Sequence, residues 1–317
     1  MSDPQDNPPQ WERSVLEKVA LAAIQEQRIA RRWGLFFRMM LLIYLFALLF
    51  VGMGWFGKHD PLPGSHTALI DISGVIAAGT PNSADKIMGG LQAAFKDSNT
   101  RGVVVRINSP GGSPVQAGYI YDEIRRLRAK HPEIPLYAVV EDICASGGYY
   151  IAAAADRIYV EKASIIGSIG VLMDGFGFTG AMQKLGVERR LLAAGENKGF
   201  LDPFSPIQDK QKLHAETMLD DIHQQFIGMV RQGRGQRLKE TPDMFSGLLW
   251  VGQKSIDLGL ADALGGLDYV AREVIKAEHI VDYTMQENLA ERFARRFGAA
   301  TAEALVRITG LGGFSMR

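Results

Sequence analysis

The chain has 317 residues, no formal net charge at neutral pH and 47% apolar residues. That allows a sizeable core and argues against a dedicated nucleic-acid binder, whose mark is a basic face. Its single cysteine, Cys144, excludes a disulfide within the chain and a Cys-rich zinc site.

Residues 1–10 are polar and Pro-rich, the composition of a disordered tail. Residues 11–32 predict a helix with Trp11, Val15, Val19 and Ala22 on one face, suited to a membrane surface or to an ordinary short amphipathic helix. From Met39 to Gly57 run nineteen residues without a charge. As a helix they would span ~28 Å, about the hydrocarbon thickness of a bilayer. Trp33 and Trp55 at the two ends suit membrane interfaces, so residues 33–57 are read as a transmembrane anchor rather than a core helix. Arg28, Arg31, Arg32 and Arg38 precede the run, and Lys58 is the sole Lys or Arg between it and Lys86. The positive-inside rule then places the N-terminal segment 1–32 in the cytoplasm and the remainder outside it. A cleaved signal peptide is the rival reading, with Gly52-Met53-Gly54 as a small-x-small site. The long basic region and the long apolar run favour an uncleaved anchor.

Residues 58–66 contain Pro and Gly and read as a linker. Beyond them, strand and helix patterns alternate. ALIDISGVI predicts a strand, and so does the β-branched run over 102–108. Residues 114–130 predict a helix with Ile120, Ile124 and Leu127 on one face and basic residues at its end. PLYAVV predicts a strand and GGYYIAAAA a helix; RIYVE, VLMDGFG and VERRLLAA predict further strands. A long helix is predicted over 206–231, with Ala215, Met218, Ile222, Phe226 and Met229 inward. A last unit from Ser255 to Ile275 ends in a helix. Residues 277–317 read as a basic amphipathic helix with an apolar tail, fit to pack on a neighbouring subunit or to lie on the surface. The alternation implies an α/β domain.

Two Gly-rich stations follow strands: INSPGG, with Gly111 and Gly112, and ASGGYY, with Ser146, Gly147 and Gly148. Small residues at a strand-to-helix turn let a substrate backbone approach, and unpaired N–H groups there can stabilise an oxyanion. Neither station is a phosphate loop of the G-x-x-x-x-G-K-[ST] or G-x-G-x-x-G kind. On the residues alone, Ser146 is a nucleophile, an N-cap or part of a tight turn, and a serine opening a helix is more often a cap. No histidine stands in a context suited to activating it: His59 and His66 fall in the linker, His131 precedes Pro132, and His214 and His223 lie among charged residues on the long helix. Metal-ligand spacing such as H-x-x-x-H is absent from the sequence. Lys198, in LLAAGENKGF, follows a predicted strand between glycines; on the residues alone, a lysine there is more often an ordinary turn residue.

INSPGG, ASGGYYIAAAAD, GSIGV and AGENKG, in this order and spacing, resemble the S49 signal peptide peptidase family. LLWVGQKSIDLGLADALGG resembles that family's tail motif, although Leu248 stands where a basic residue is frequent. The resemblance covers residues 67–276 and, with the anchor, suits the short single-unit bacterial form, held in the inner membrane with its catalytic domain outside the cytoplasm. It implies a fold of stacked ββα units like that of Clp protease and the crotonases. Ser146 is implied as nucleophile, Lys198 as general base, Gly111 as oxyanion donor helped by Gly112 or Gly147, and Ser168 as a partner of the lysine amine. It also implies residual signal peptides as substrates, a homo-oligomer whose sites can be shared between subunits, and no cofactor or metal. A lysine amine withdrawn from water loses its proton more readily, which is what a lysine base requires. A crotonase-like acyl-CoA enzyme and a non-catalytic membrane scaffold of the same fold are the competing expectations.

Overall fold

The computed structural model describes residues 10–52 and 64–285. They fall into two compact units. In the first, α1 (Gln10–Gly52) is one unbroken 43-residue helix. The helix expected over 11–32 and the anchor expected from residue 33 are therefore continuous as far as Gly52, and Gly34 does not interrupt them. Leu35 through Leu49 present large apolar side chains outward, Phe46 at 75% exposure. Among the described residues α1 is the helix long and apolar enough to cross a membrane. Trp55 and Lys58 lie outside the described residues, as does the tail beyond 285.

The second unit is a mixed α/β domain, as the alternating pattern implies. Its strands are β1 (His66–Ser73), β2 (Thr100–Ser109), β3 (Leu136–Ala145), β4 (Arg157–Val160), β5 (Ile165–Gly167), β6 (Leu249–Val251), β7 (Ala263–Leu264) and β8 (Ile280–Asp282). The main path runs β6-β5-β3-β2-β1-β8, with β4 on β3 and β7 on β4. All pairs are parallel except β5 with β6. β3 is long enough to serve two neighbours, pairing β4 through Tyr137–Val139 and β5 through Ile143–Ala145. β8 pairs with β1, so the sheet continues past residue 276, where a C-terminal helix is expected from the sequence.

Both sheet faces are covered, which is why the central strands read as continuous apolar runs. Ile70, Ile72, Val103, Val105 and Ile107 point into the main core, with α2 (Ala84–Lys96), α3 (Pro114–Lys130), α4 (Gly147–Ala152) and α6 (Asp209–Arg234). The alternate positions Leu69, Val104 and Val139 meet Tyr159 and Val270 on the other face. Helix α3 has the expected bounds; Ser113 Oγ accepts the Gln116 N–H and Pro114 opens the first turn. Helix α7 (Gly252–Asp257) and the short α8 (Leu267–Tyr269), continued by a π-helical turn, complete the domain.

Two sequence expectations fail in one place. VLMDGFG and VERRLLAA are not strands, and between residues 171 and 208 the regular structure is α5 (Thr179–Leu185). A strand needs a ladder partner, and this segment pairs with no strand among the described residues. Its apolar side chains lie open, Phe176 at 81% and Leu192 at 96% exposure. The same cause shifts the buried face of α6. Ala215, Phe226, Ile227 and Val230 are inward, while Met218, expected inside, is 37% exposed. The first half of α6 has mainly the open segment beside it, and the second half packs on α4.

Candidate active site

The C-terminal ends of β2, β3 and β5 converge. β3 ends at Ala145, and Ser146 turns the chain into α4 with φ 51° and ψ −122°. Left-handed backbone at a non-glycine residue costs about 1–3 kcal/mol and persists where its surroundings over-determine it. Here the Ser146 N–H donates to Gly167 O at 2.9 Å, and Ser146 O accepts the Tyr150 N–H at 2.9 Å. The side chain makes no capping hydrogen bond, so the N-cap reading fails. A strained strand-to-helix turn of this kind lifts a serine hydroxyl out of the backbone's own hydrogen bonding.

Gly111 and Gly112 reach Ser146 from the end of β2. A Cβ on Gly111, where φ is 108°, would stand 2.7 Å from Ser146 Cβ; only glycine lets the two chains pass. Gly112, at φ 150°, forms a parallel bridge with Ile76. That bridge uses the Ile76 N–H to Gly111 O and the Ser113 N–H to Ile76 O, at 2.9 and 2.8 Å. The Gly111 N–H donates to Ser109 Oγ at 3.1 Å. The N–H groups of Gly112 and Gly147 have no hydrogen-bond partner among the described residues. They are neighbours: Gly112 N lies 3.3 Å from the Cβ position of Gly147, and Gly147 N lies 2.9 Å from that of Gly111. Gly147 opens a helix, so no carbonyl behind it claims its N–H. A Cβ on Gly112 would fall 2.0 Å from Ile76 O. Gly112→Ala is therefore expected to lower stability by at least about 2 kcal/mol, read as a lower urea midpoint; an unchanged midpoint would contradict the bridge.

Ser168 stands one residue beyond the Ala145–Gly167 pair, as Ser146 does. It too is left-handed, at φ 49°, and its N–H donates to Leu248 O at 2.7 Å. The chain thus brings Ser146, Gly111, Gly112, Gly147 and Ser168 together. Lys198 is exposed in the 171–208 segment, and its backbone N–H donates to Gly195 O at 3.1 Å. No hydrogen bond joins it to Ser146 or Ser168 among the described residues. Gly195, Glu196 and Gly199, beside it, line a groove of about 920 Å³ that also takes in Met173, Phe176 and Leu191.

His223 is half-buried, with Nε2 3.1 Å from Ile169 O, next to Ser168. Its sequence neighbours gave no sign of this, because the contact is made across the fold. His66 lies at the start of β1, 3.1 Å from the Tyr283 hydroxyl. Cys144 is fully buried, and burial pushes its thiol well above the ordinary range, so it is inert as a nucleophile at neutral pH.

The profile of peptidase family S49 matches residues 128–280. A Brucella melitensis protein named Na(+)/H(+) antiporter NhaA is 47% identical over 179 residues, 56% of this chain but 24% of that protein. A putative protease of Synechocystis is 30% identical over 198 residues, 62% of this chain and 69% of that protein. A putative signal peptide peptidase of Enterococcus faecium is 28% identical over 198 residues, 62% of this chain and 57% of that protein.

Proposed function

Since the chain belongs to peptidase family S49, we propose that it is a membrane-anchored serine endopeptidase with Ser146 as nucleophile and Lys198 as general base. The observation that carries the reading is Ser146 itself. It is held left-handed at φ 51° with no capping bond, beside the unclaimed N–H groups of Gly112 and Gly147. Ser146 Oγ attacks the scissile carbonyl while the Lys198 amine takes its proton. The carbonyl oxygen gathers negative charge and accepts hydrogen bonds from Gly112 and Gly147, each worth about 3–4 kcal/mol in the transition state. Gly111, whose N–H is engaged by Ser109 Oγ, serves by letting β2's end lie against Ser146. The ammonium then protonates the leaving amine, and water resolves the acyl-enzyme. Ser168 orients the lysine amine.

Lys198 reaches a site when the chain assembles. The open apolar side chains of the 171–208 segment support a homo-oligomer in which one subunit's Lys198 serves a neighbour's Ser146. Contact with a neighbour also withdraws the amine from water, which favours its neutral form. The substrates are residual signal peptides and similar apolar, extended peptides, bound by strand addition. The helix α1 anchors the enzyme in the membrane, with Arg28, Arg31, Arg32 and Arg38 keeping the N-terminus in the cytoplasm and the peptidase domain outside it.

Two measurements test this. A fluorophosphonate probe is expected to label Ser146 in the solubilised full-length protein; labelling elsewhere alone would refute the nucleophile. Protease added outside spheroplasts is expected to digest the domain and spare residues 1–30; digestion of the N-terminus instead would reverse the orientation.

A further inference from the structure

The turn after β5 is pinned at each step. Gly167 O accepts the Ser146 N–H at 2.9 Å, the Ser168 N–H donates to Leu248 O at 2.7 Å, and the Gly170 N–H donates to Ser168 O at 2.9 Å. The next carbonyl is held by a side chain: His223 Nε2 lies 3.1 Å from Ile169 O. Ile169 is fully buried, so a carbonyl there left without its donor is costly. A carbonyl oxygen only accepts, so Nε2 carries a proton here whether the imidazole is neutral or charged.

We propose that His223 is a positioning residue of the peptidase: by holding Ile169 O it keeps the Gly167–Ser168 turn in place and, through Gly167 O, holds Ser146 in its left-handed conformation. This rests on the reading of Ser146 as nucleophile. Ser146 and Ser168 are both left-handed, and both lie one residue past the last β3–β5 pair. Such backbone survives only under constraint from its surroundings, and the hydrogen bond from Ser146 to Gly167 couples the two turns. Helix α6 grips the other side of the nucleophile turn as well. Phe226, one turn after His223 and on the same helix face, packs on Tyr150 with ring centroids 4.9 Å apart. Tyr150 is the residue whose N–H bonds Ser146 O. His223 and Phe226 thus clamp Ser146 from two directions. Helix α6 also continues directly from the 171–208 segment, so the clamp fastens the element bearing Lys198 to the element bearing the nucleophile. His223 makes no hydrogen bond to Ser146, which separates this role from that of a base.

The test compares His223→Gln, His223→Asn and His223→Ala in the full-length solubilised enzyme, with a fluorogenic apolar peptide. Glutamine carries its amide nitrogen the same number of bonds from Cβ as Nε2 and can still donate to Ile169 O; asparagine is one bond short. Glutamine is expected to keep kcat within about threefold of the wild type, while asparagine and alanine lose about tenfold or more with KM within about twofold, because a displaced nucleophile slows chemistry rather than binding. Fluorophosphonate labelling of Ser146 should slow in the same order. Thermal midpoints separate a loss of fold from a loss of positioning, and the Gln–Asn comparison decides the matter should alanine fail to fold. Equal kcat in the Gln and Asn variants, or a change confined to KM, would overturn the proposal. Ser146→Ala runs alongside: activity in it would overturn the nucleophile and the positioning role together, whereas an inactive Ser146→Ala with equal Gln and Asn variants overturns the positioning role alone.

Discussion

Ser146→Ala is expected to reduce peptide cleavage by about 10⁴-fold or more, and Lys198→Ala by a comparable factor, because members of a nucleophile–base pair act as a unit. A factor of 10⁴ is about 5.5 kcal/mol of lost transition-state stabilisation. Neither variant should lose its fold. Ser146 makes no side-chain capping bond, and Lys198 is exposed. The informative experiment is the mixture. No hydrogen bond joins Lys198 to Ser146 among the described residues, and the proposed dyad predicts that a neighbour brings them together. If a neighbour supplies the lysine, mixed oligomers of the two inactive variants contain sites with both an intact serine and an intact lysine, and activity reappears. Subunit exchange is checked beforehand with a labelled copy. Exchange without recovered activity would assign both residues to one chain, and full activity in Lys198→Ala would remove the dyad.

The second large effect concerns stability. Arg234 ends α6 with its side chain wholly buried, 2.8 Å from Asp262 Oδ2, and its Nε donates to Gly259 O at 2.8 Å. Asp262 also accepts the Ile158 N–H at 2.7 Å and an Arg237 N–H at 3.2 Å. One carboxylate therefore fastens the end of α6 to β4 and to the turn before β7. Arg234→Met is expected to cost about 3 kcal/mol, since it removes the buried partner of Asp262 and the donor to Gly259 O, while Arg237 and the Ile158 N–H still reach the carboxylate. Arg234→Met combined with Asp262→Asn should cost less than the sum of the two single changes. Denaturant midpoints measure both, and strict additivity would contradict the pairing.

The same carboxylate predicts an acid response. Burial alone would raise Asp262, but the hydrogen bond and charge of Arg234, the Ile158 N–H and Arg237 together hold it below its ordinary value of 3.8. A carboxyl lowered by folding contributes stability that is complete above its unfolded pKa and lost as pH falls through its folded one. Asp262→Asn should therefore be penalised most at neutral pH, with its gap from the wild type narrowing below about pH 4. A gap that is constant from pH 7 to pH 3 would refute this.

The legible parts of the molecule are those whose physics is local. The uncharged run from Met39 has the length of a bilayer crossing whatever surrounds it. The β-branched run of β2, the capped helix α3 and the Gly-rich turns after β2 and β3 carry their periods and breakers in consecutive residues. Ser146 stood out by its place between a strand and a helix, but that place also suited a cap. Only the family motifs favoured a nucleophile, and only the fold removed the cap by turning Ser146 left-handed with no capping bond.

Composition and periodicity by themselves determined an α/β domain behind one apolar helix, and the two glycine turns at which chemistry could sit. The tertiary structure decided what meets across the sheet. It set Gly111 against Ser146, left the Gly112 and Gly147 N–H groups unclaimed by any described residue, put Ser168 beside Ser146, and brought His223 onto Ile169 O. It also undid the strands expected between residues 171 and 208. Local pattern reports which backbone a residue prefers; whether a strand finds a ladder, or a polar group a partner, depends on residues distant in sequence, and for this segment no described strand supplies one.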